Sequence, residues 1–135
     1  MTYCGAGQVQ LALILDLRRR GLTPAQFTER ALQSIADSID QKFNQKLRLD
    51  LDDLGLFDVH GAKLASYGAS YKNGILGGGV ALNFCMDLSG FDHIEVCGVR
   101  RRMGNIMDQK LSWDVLARHG QQLAQDLADN LTKEQ

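Results

Sequence analysis

The sequence between residues 61 and 98 decides the fold, and four short segments carry most of its information. They read G-A-K-L-A-S-Y-G at 61–68, G-G-G-V-A-L-N at 77–83, M-D-L-S-G-F-D at 86–92 and V-C-G at 96–98. Residues 56–71 predict a hairpin with His60 and Gly61 at or next to its turn. A second turn at 72–74 then leads through the three glycines into another strand. The centre of the chain is therefore predicted to be antiparallel strands rich in small residues.

Lys63 and Cys97 lie in these segments and form a candidate acyl-transfer pair. A free thiol is mostly protonated at neutral pH, and a neighbouring ammonium favours the thiolate, which is the nucleophilic form. The ordinary interpretation is that Lys63 is a solvated charge at a strand end and that Cys97 fills a small buried space. The residues alone leave both interpretations open.

Further elements are predicted before and after this centre. The apolar run V-Q-L-A-L-I-L-D-L at 9–17 predicts a strand buried on both faces. Thr23, Pro24 and Gln26 predict a helix start, because Thr caps, Pro suits the first position and Gln completes a capping box. Apolar residues then recur at helical spacing up to residue 43. Ser112 is expected to cap a last amphipathic helix, with Trp113 fastening it to the body.

The composition fits one domain. The 135 residues are 44% hydrophobic and 23% charged, enough for one modest core. The formal net charge of −1 gives no general attraction to nucleic acid or to an anionic membrane, so neither is expected as a partner. Three widely spaced cysteines do not suggest a disulfide framework, and no secretion signal or membrane span is visible. A cytoplasmic protein is expected.

The acidic residues Asp50, Asp52 and Asp53 predict a polar turn. The spacing of a calcium loop and its closing glutamate are absent. His60 and His119 also lack the neighbouring cysteines or acids that are typical of a zinc site. No metal site is therefore predicted.

The motifs quoted above resemble the lipoate-protein octanoyltransferase, or lipoyl(octanoyl) transferase, family within the biotin/lipoate protein ligase and transferase superfamily. That family typically reads G-x-K-I-A-x-x-G, F-H-G-L-A-L-N, M-D-L-x-P-F and N-P-C-G, so Lys63 and Cys97 stand on its lysine and its acyl-accepting cysteine. The segment T-Y-C-G-A-G-Q at 2–8 is similar to the family's T-Y-H-G-P-G-Q. The resemblance covers residues 2–98.

The resemblance implies an α+β fold with a mixed, mostly antiparallel sheet flanked by helices. It implies transfer of an octanoyl group from acyl carrier protein, through a thioester on Cys97, to a lysine of the lipoyl domains of 2-oxoacid dehydrogenases and of the glycine cleavage protein. Lys63 would stabilise the thiolate and move protons, and no metal, nucleotide or organic cofactor would be needed. The implied substrate-binding residues are Thr2, Tyr3, Cys4, Ser66, Tyr67, Gly68, Gly79, Val80 and Ala81.

The arginine cluster at 18–20 has two interpretations. It could meet an acidic partner such as acyl carrier protein, or it could be a solvated loop.

Several positions depart from the family pattern. Cys4 and Gly78 stand where the family has histidines, and Val96 stands where it has a proline. An alternative function is therefore a catalytically weak or silent remnant that binds acyl groups or lipoyl domains, and a histidine restored at position 78 is expected to raise turnover.

Residues 1–135 are interpreted as a single octanoyltransferase-like catalytic domain lacking the family's N-terminal segment. That arrangement would expose an edge of the sheet, which self-association could cover.

Overall fold

The structure is a computed structural model that describes residues 7–85, 103–107 and 110–133. These residues form a five-stranded sheet and two long helices. In chain order the elements are β1 (Gln8–Asp16), a short 3-10 turn (Leu17–Arg19), α1 (Pro24–Phe43), β2 (Arg48–Asp50), β3 (Gly55–Phe57), β4 (Lys63–Lys72), β5 (Ile75–Asn83) and α2 (Trp113–Lys133). The α+β class expected from the sequence is confirmed.

All the strand pairs in the sheet are antiparallel, and the spatial order is β1-β5-β4-β3-β2. The two central strands are joined by a two-residue turn at Asn73 and Gly74. Both residues have positive φ, 55° and 83°, as the tightest hairpin turns require. The predicted turn at 72–74 is therefore confirmed, and it sets the register of β4 against β5.

The first helix begins as the sequence predicts. The Thr23 hydroxyl accepts a hydrogen bond from the Gln26 backbone N–H at 3.1 Å, and the Gln26 side chain accepts one from the Thr23 N–H at 3.0 Å. This reciprocal capping box satisfies two backbone donors that a helix start leaves without partners. The helix ends at Phe43, and the next residue, Asn44, adopts the left-handed conformation.

The core lies between one face of the sheet and the two helices. Helix α1 contributes Phe27, Leu32, Ile35 and Ile39, all at most 1% exposed, and α2 contributes Leu123 and Leu127. Polar contacts also join the helices at their edges. Lys42 Nζ lies 2.9 Å from an Asp126 carboxylate oxygen, and the Asn130 amide donates to Ser34 Oγ at 2.7 Å.

The prediction that the first strand is buried on both faces is wrong. In β1 the odd-numbered residues face the helices, whereas Ala12 and Ile14 are exposed, Ile14 by 81%. An apolar run predicts double burial when both sheet faces are covered. Among the described residues β1 is a terminal strand, and α2 packs on one of its faces.

Two smaller expectations also need correction. The three glycines at 77–79 lie inside β5, where the sequence placed them before a strand. Trp113 was expected to fasten α2 to the body, yet its side chain is 77% exposed. The Ser112 cap itself is confirmed, since Ser112 Oγ accepts from the Val115 N–H at 3.3 Å.

Candidate active site

Lys63 opens strand β4 and is the best-defined member of the candidate site. Its side chain is only 5% exposed, and its ammonium donates a hydrogen bond to Asp53 Oδ1 at 2.9 Å. The ammonium also lies 5.8 Å from the centre of the Phe57 ring. A buried ammonium needs such partners, because moving an unpaired charge out of water is costly.

Gly55 makes the space that the Lys63 stem occupies. A Cβ added at Gly55 would stand 2.6 Å from Lys63 Cε and 2.2 Å from the Ala65 carbonyl oxygen, both closer than real side chains approach. Gly55 pairs with Ser66 across the strands, so both point to the same face of the sheet. The Lys63 stem therefore lies on the Ser66 side of the sheet.

The segment 103–107 passes beside Lys63. The Gly104 N–H donates to the Lys63 carbonyl at 2.9 Å, and the Ile106 N–H donates to the Asn83 carbonyl at 2.8 Å. Met103, six residues after Cys97 in the sequence, forms an isolated parallel bridge with Lys63. The chain that follows the candidate nucleophile is thus tied to the strand that carries the candidate lysine.

Strands β1, β5 and β4 present a surface of small side chains on the face opposite the helices, which we call the small-residue face. The strand register groups its members across the sheet, since Gln10, Ala81 and Ser66 form one row and Ala12, Gly79 and Gly68 form the next. A Cβ at Gly68 would meet nothing within 4 Å, so open space lies above the backbone there, whereas a Cβ at Gly79 would stand 2.7 Å from the Leu11 carbonyl oxygen. Small residues allow a linear chain to approach the backbone closely.

The same register divides the predicted substrate-binding residues into two groups. Ser66, Gly68, Gly79 and Ala81 share the small-residue face. Tyr67 and Val80 instead point towards α1 and are 8% and 1% exposed.

The Tyr67 hydroxyl hydrogen-bonds to Thr28 Oγ1 at 3.1 Å, which fixes its orientation in the core. A contact from Tyr67 or Val80 to a ligand on the small-residue face would therefore come from the backbone.

The other predicted site residues, Thr2, Tyr3, Cys4 and Cys97, lie outside the described residues. Cys85 is described and is half-buried at the end of the β5 region, where its sulfur accepts a hydrogen bond from the Leu111 N–H at 3.4 Å. It therefore has a structural contact of its own.

Sequence reasoning missed two polar partners. Asp53 was interpreted only as part of a turn, yet it is the carboxylate that holds Lys63. Asn83 is 2% exposed and accepts a hydrogen bond from the Gln8 side chain at 3.2 Å. Both Gln8 and Asn83 stood inside quoted motifs, but only the register of β1 against β5 shows that they meet.

The fold has counterparts among solved structures. A small antiparallel sheet packed against helices is shared with solved ligases. A biotin protein ligase from Aquifex aeolicus superposes with a TM-score of 0.69 at 11% identity, over 94% of this chain and 54% of that one. LipL1 of P. falciparum, in complex with lipoate, superposes with a TM-score of 0.68 at 10% identity, over 99% and 38%. These likenesses establish the fold.

The family follows from sequence similarity. The lipoyl protein ligase A/B catalytic domain matches residues 1–119, and the chain belongs to that family. It is 37% identical to an octanoyltransferase of Methylococcus capsulatus over 98 residues, 73% of this chain and 46% of that protein. An octanoyltransferase of Chromobacterium violaceum is 36% identical over the same share of each. The chain thus spans less than half the length of these curated relatives.

Neither helix in the described part of the chain combines the length and the hydropathy needed to cross a membrane.

Proposed function

We propose that this chain carries the acyl-transfer site of an octanoyltransferase that acts in protein lipoylation in the cytoplasm. The observation that carries the proposal is the position of Lys63, which is buried, held by Asp53 and directed to the small-residue face in a chain similar to octanoyltransferases. In this reaction the chain itself supplies the nucleophile and the proton carrier, with no metal, nucleotide or organic cofactor.

The reaction proceeds in two steps. The Cys97 thiolate attacks the thioester carbonyl of octanoyl-acyl carrier protein, so that a new sulfur–carbon bond forms and the carrier sulfur leaves as a thiolate that takes a proton. A lysine amine of a lipoyl domain then attacks the Cys97 thioester, giving an amide and restoring the thiol. Lys63 stabilises the thiolate in both steps and gives or takes the proton.

The small-residue face is where we place the octanoyl chain. An eight-carbon chain lying across Gly68 and Gly79 contacts backbone atoms directly, because no side chain stands between them. Ser66 and Ala81 form the neighbouring row, on the side nearer Lys63. Thr2, Tyr3 and Cys4 are proposed as further substrate contacts on the strength of their motif alone.

The arginines after β1 are a candidate contact for the acidic carrier. Arg18 is already paired with Asp16, because its Nε lies 3.1 Å from a carboxylate oxygen. The Arg19 side chain is 89% exposed, and its Nε lies 3.9 Å from the same carboxylate, which is the longest distance that counts as an ion pair. Arg19 is therefore the arginine of this cluster best placed to meet a negative surface.

The alternative function is a binding module that holds acyl groups or lipoyl domains without turnover. The Lys63–Asp53 pair favours it, because an ammonium already neutralised by a carboxylate stabilises a thiolate less.

Intact mass spectrometry after incubation with octanoyl-acyl carrier protein separates the two functions. The transferase predicts one octanoyl adduct that hydroxylamine removes and that a lipoyl domain discharges. Cys97→Ser abolishes the adduct, while Cys85→Ser, the matched control, retains it. Carrier binding without an adduct on the unmodified chain would establish the module instead.

A further inference from the structure

Three side-chain amides form a hydrogen-bonded chain on the small-residue face, at the end of the sheet where β4 begins. The Gln10 amide donates a hydrogen bond to Gln8 Oε1 at 3.0 Å, and the Gln8 amide donates one to Asn83 Oδ1 at 3.2 Å. Gln8 and Asn83 are partners across β1 and β5, so their side chains point to the same face. Each nitrogen donates to the next amide, and Asn83 is the last acceptor.

This chain sets the orientation of the Asn83 amide. Because Oδ1 accepts from Gln8, the amide nitrogen of Asn83 is turned away from that contact and towards the rest of the face. Asn83 is 2% exposed, and its nitrogen donates no hydrogen bond to any residue in the described part of the chain. A buried N–H group without an acceptor is costly, so it calls for a partner. Asn83 therefore holds two N–H donors ready on the small-residue face.

Asn83 and Lys63 lie at the same end of neighbouring strands, and one segment bonds to both. The Gly104 N–H donates to the Lys63 carbonyl at 2.9 Å, and the Ile106 N–H donates to the Asn83 carbonyl at 2.8 Å. Gly104 and Ile106 are two residues apart, which spans no more than about 7 Å of chain. Since the Lys63 stem lies on the face to which Asn83 points, the ammonium and the amide belong to one site.

We propose that the Asn83 amide donates to the carbonyl oxygen of the thioester during acyl transfer, an inference that rests on the proposed function. When the Cys97 thiolate attacks, an electron pair of the C=O double bond moves to the oxygen. The oxygen carries the negative charge until the carbon–sulfur bond to the carrier breaks and the double bond re-forms. N–H donors already fixed at that oxygen stabilise the charge without reorienting. Gln8 fixes the Asn83 amide and is a positioning residue.

The direction of the octanoyl chain agrees with this role. The hydrocarbon tail lies across Gly68 and Gly79 in the proposed complex, and the carbonyl end is directed to Lys63. Asn83 is four residues from Gly79 in β5, about 14 Å along the strand and on the same face. An eight-carbon chain and the Asn83 side chain span this distance together, so the amide meets the carbonyl end and not the tail.

Acylation and alkylation of Cys97 separate this role from a structural one. Attack on an ester or thioester places charge on an oxygen, whereas alkylation by iodoacetamide does not. Asn83→Ala and Asn83→Asp are each expected to slow acylation by p-nitrophenyl octanoate about 100-fold or more and to leave the alkylation rate unchanged. Both rates are measured by mass spectrometry of the Cys97 peptide at the plateau of each pH profile, where the thiol is fully ionised.

Asn130→Ala is the matched control. The Asn130 amide donates to Ser34 Oγ at 2.7 Å and joins the two helices, which pack on the opposite face of the sheet. Its loss is expected to lower stability in urea and to preserve the ratio of acylation to alkylation. The same outcome for Asn83→Ala, a lower stability with an unchanged ratio, would leave Asn83 a structural role only and overturn the proposal.

Nitrogen-15 NMR of the unmodified protein gives the answer if circular dichroism shows that the Asn83 variants do not fold. The side-chain amide signal of Asn83 is expected to shift when p-nitrophenyl octanoate acylates Cys97, while the Asn130 signal stays in place. An Asn83 signal that does not move would contradict the proposed contact.

Octanoyl-acyl carrier protein, tested in parallel, distinguishes this inference from the proposed function. An adduct that forms from the ester and depends on Asn83, with none from the carrier on the unmodified chain, would overturn the transferase and retain the role of Asn83. No adduct on Cys97 from either reagent would overturn both.

Discussion

The Lys63 ammonium and the Asp53 carboxylate form an ion pair of 2.9 Å, with side chains only 5% and 18% exposed. The pair joins the start of β4 to the turn between β2 and β3. Phe57 and Gly55 enclose the lysine stem, so the ammonium has few positions available. The pair therefore fixes the direction of the residue to which the proposed reaction assigns the proton transfers.

Asp53→Asn is expected to destabilise the protein by about 3 kcal/mol, because removing one partner leaves a buried charge without compensation. Urea unfolding followed by circular dichroism measures the change. Asp52→Asn is the matched control, since Asp52 lies in the same turn but is exposed, and it is expected to change stability by no more than about 0.5 kcal/mol. Equal effects of the two variants would show that the Lys63 contact contributes nothing to stability.

The proposed mechanism gives the same ion pair an effect on Cys97. In that mechanism the Asp53 carboxylate competes with the Cys97 thiolate for the Lys63 charge, so Asp53→Asn is expected to lower the pH at which Cys97 becomes alkylated, and Lys63→Ala is expected to raise it. Alkylation rates against pH, followed by peptide mass spectrometry, measure both shifts, with Cys85 in the same sample as an internal reference. An unchanged Cys97 profile in Lys63→Ala would contradict the acyl-transfer pair.

The sequence predicted some elements well for reasons that are local. The capping box at Thr23 and the turn at Asn73 and Gly74 depend on residues within a few positions of one another, and both were predicted correctly. Lys63 was singled out through its motif, and its role in the reaction stays a prediction. What Lys63 contacts depends on the register of β3 against β4, which contains an irregularity between Leu56 and Phe57. No local pattern encodes that register, so Asp53 could not be identified in advance.

The division of the predicted substrate residues has a similar cause. Ser66, Tyr67 and Gly68 are consecutive in the sequence, and a motif treats them as a unit. In a strand, successive side chains point to opposite faces, so Tyr67 enters the core while its neighbours do not. The alternation itself was predictable, but which face the helices cover was not.

Tyr67→Phe tests that division. The change removes the hydroxyl that bonds to Thr28 Oγ1 and keeps the ring, so stability is expected to fall by about 1 kcal/mol. Because the ring faces α1, the KM for octanoyl-acyl carrier protein is expected to be unchanged. Urea unfolding and steady-state kinetics measure the two quantities. A large rise in KM with unchanged stability would place Tyr67 at the ligand and contradict its core role.

His119 is expected to make stability fall below about pH 6.5. Its ring stacks on Phe84 with centroids 5.6 Å apart and meets Phe43 edge-on at 5.0 Å. Burial lowers the pKa of His119, and the positive charges of Arg118 and Lys42 lower it further. The unfolded chain therefore binds a proton at a higher pH than the folded chain, and acidification from about pH 6.5 to the lowered pKa favours unfolding.

Urea unfolding at pH 7.5 and pH 5.5 measures this dependence. His119→Phe keeps an aromatic ring in the stack and is expected to reduce the difference between the two pH values. His60→Gln, at an exposed turn, is the matched control and is expected to preserve it. The hydrogen bond from Lys42 holds the pKa of the Asp126 carboxyl below its usual value. Asp126 therefore does not titrate between pH 7.5 and pH 5.5. A difference unaffected by His119→Phe would assign the pH dependence to other groups.

Gly77 and Gly78 are neighbours in β5 with opposite tolerance for a side chain. A Cβ at Gly78 would stand 2.3 Å from the Gly68 carbonyl oxygen and 2.6 Å from Ala69, whereas a Cβ at Gly77 would meet nothing within 4 Å. Gly78→Ala is therefore expected to cost about 1–3 kcal/mol through displacement of β4, and Gly77→Ala to change stability by no more than about 0.5 kcal/mol.

The same geometry argues against the expectation that a histidine restored at position 78 raises turnover. Gly78 of β5 points to the helix side and lies directly opposite Ala69 of β4. An imidazole at position 78 would therefore first have to displace β4, the strand that carries Ser66 and Gly68. We instead expect Gly78→His to lose stability at least as much as Gly78→Ala, with no gain in octanoyl transfer. Urea unfolding of the three variants beside adduct formation by mass spectrometry measures both effects. A stable Gly78→His variant with faster transfer would show that β4 and β5 separate here at little cost, and that the family's histidine fits this chain after all.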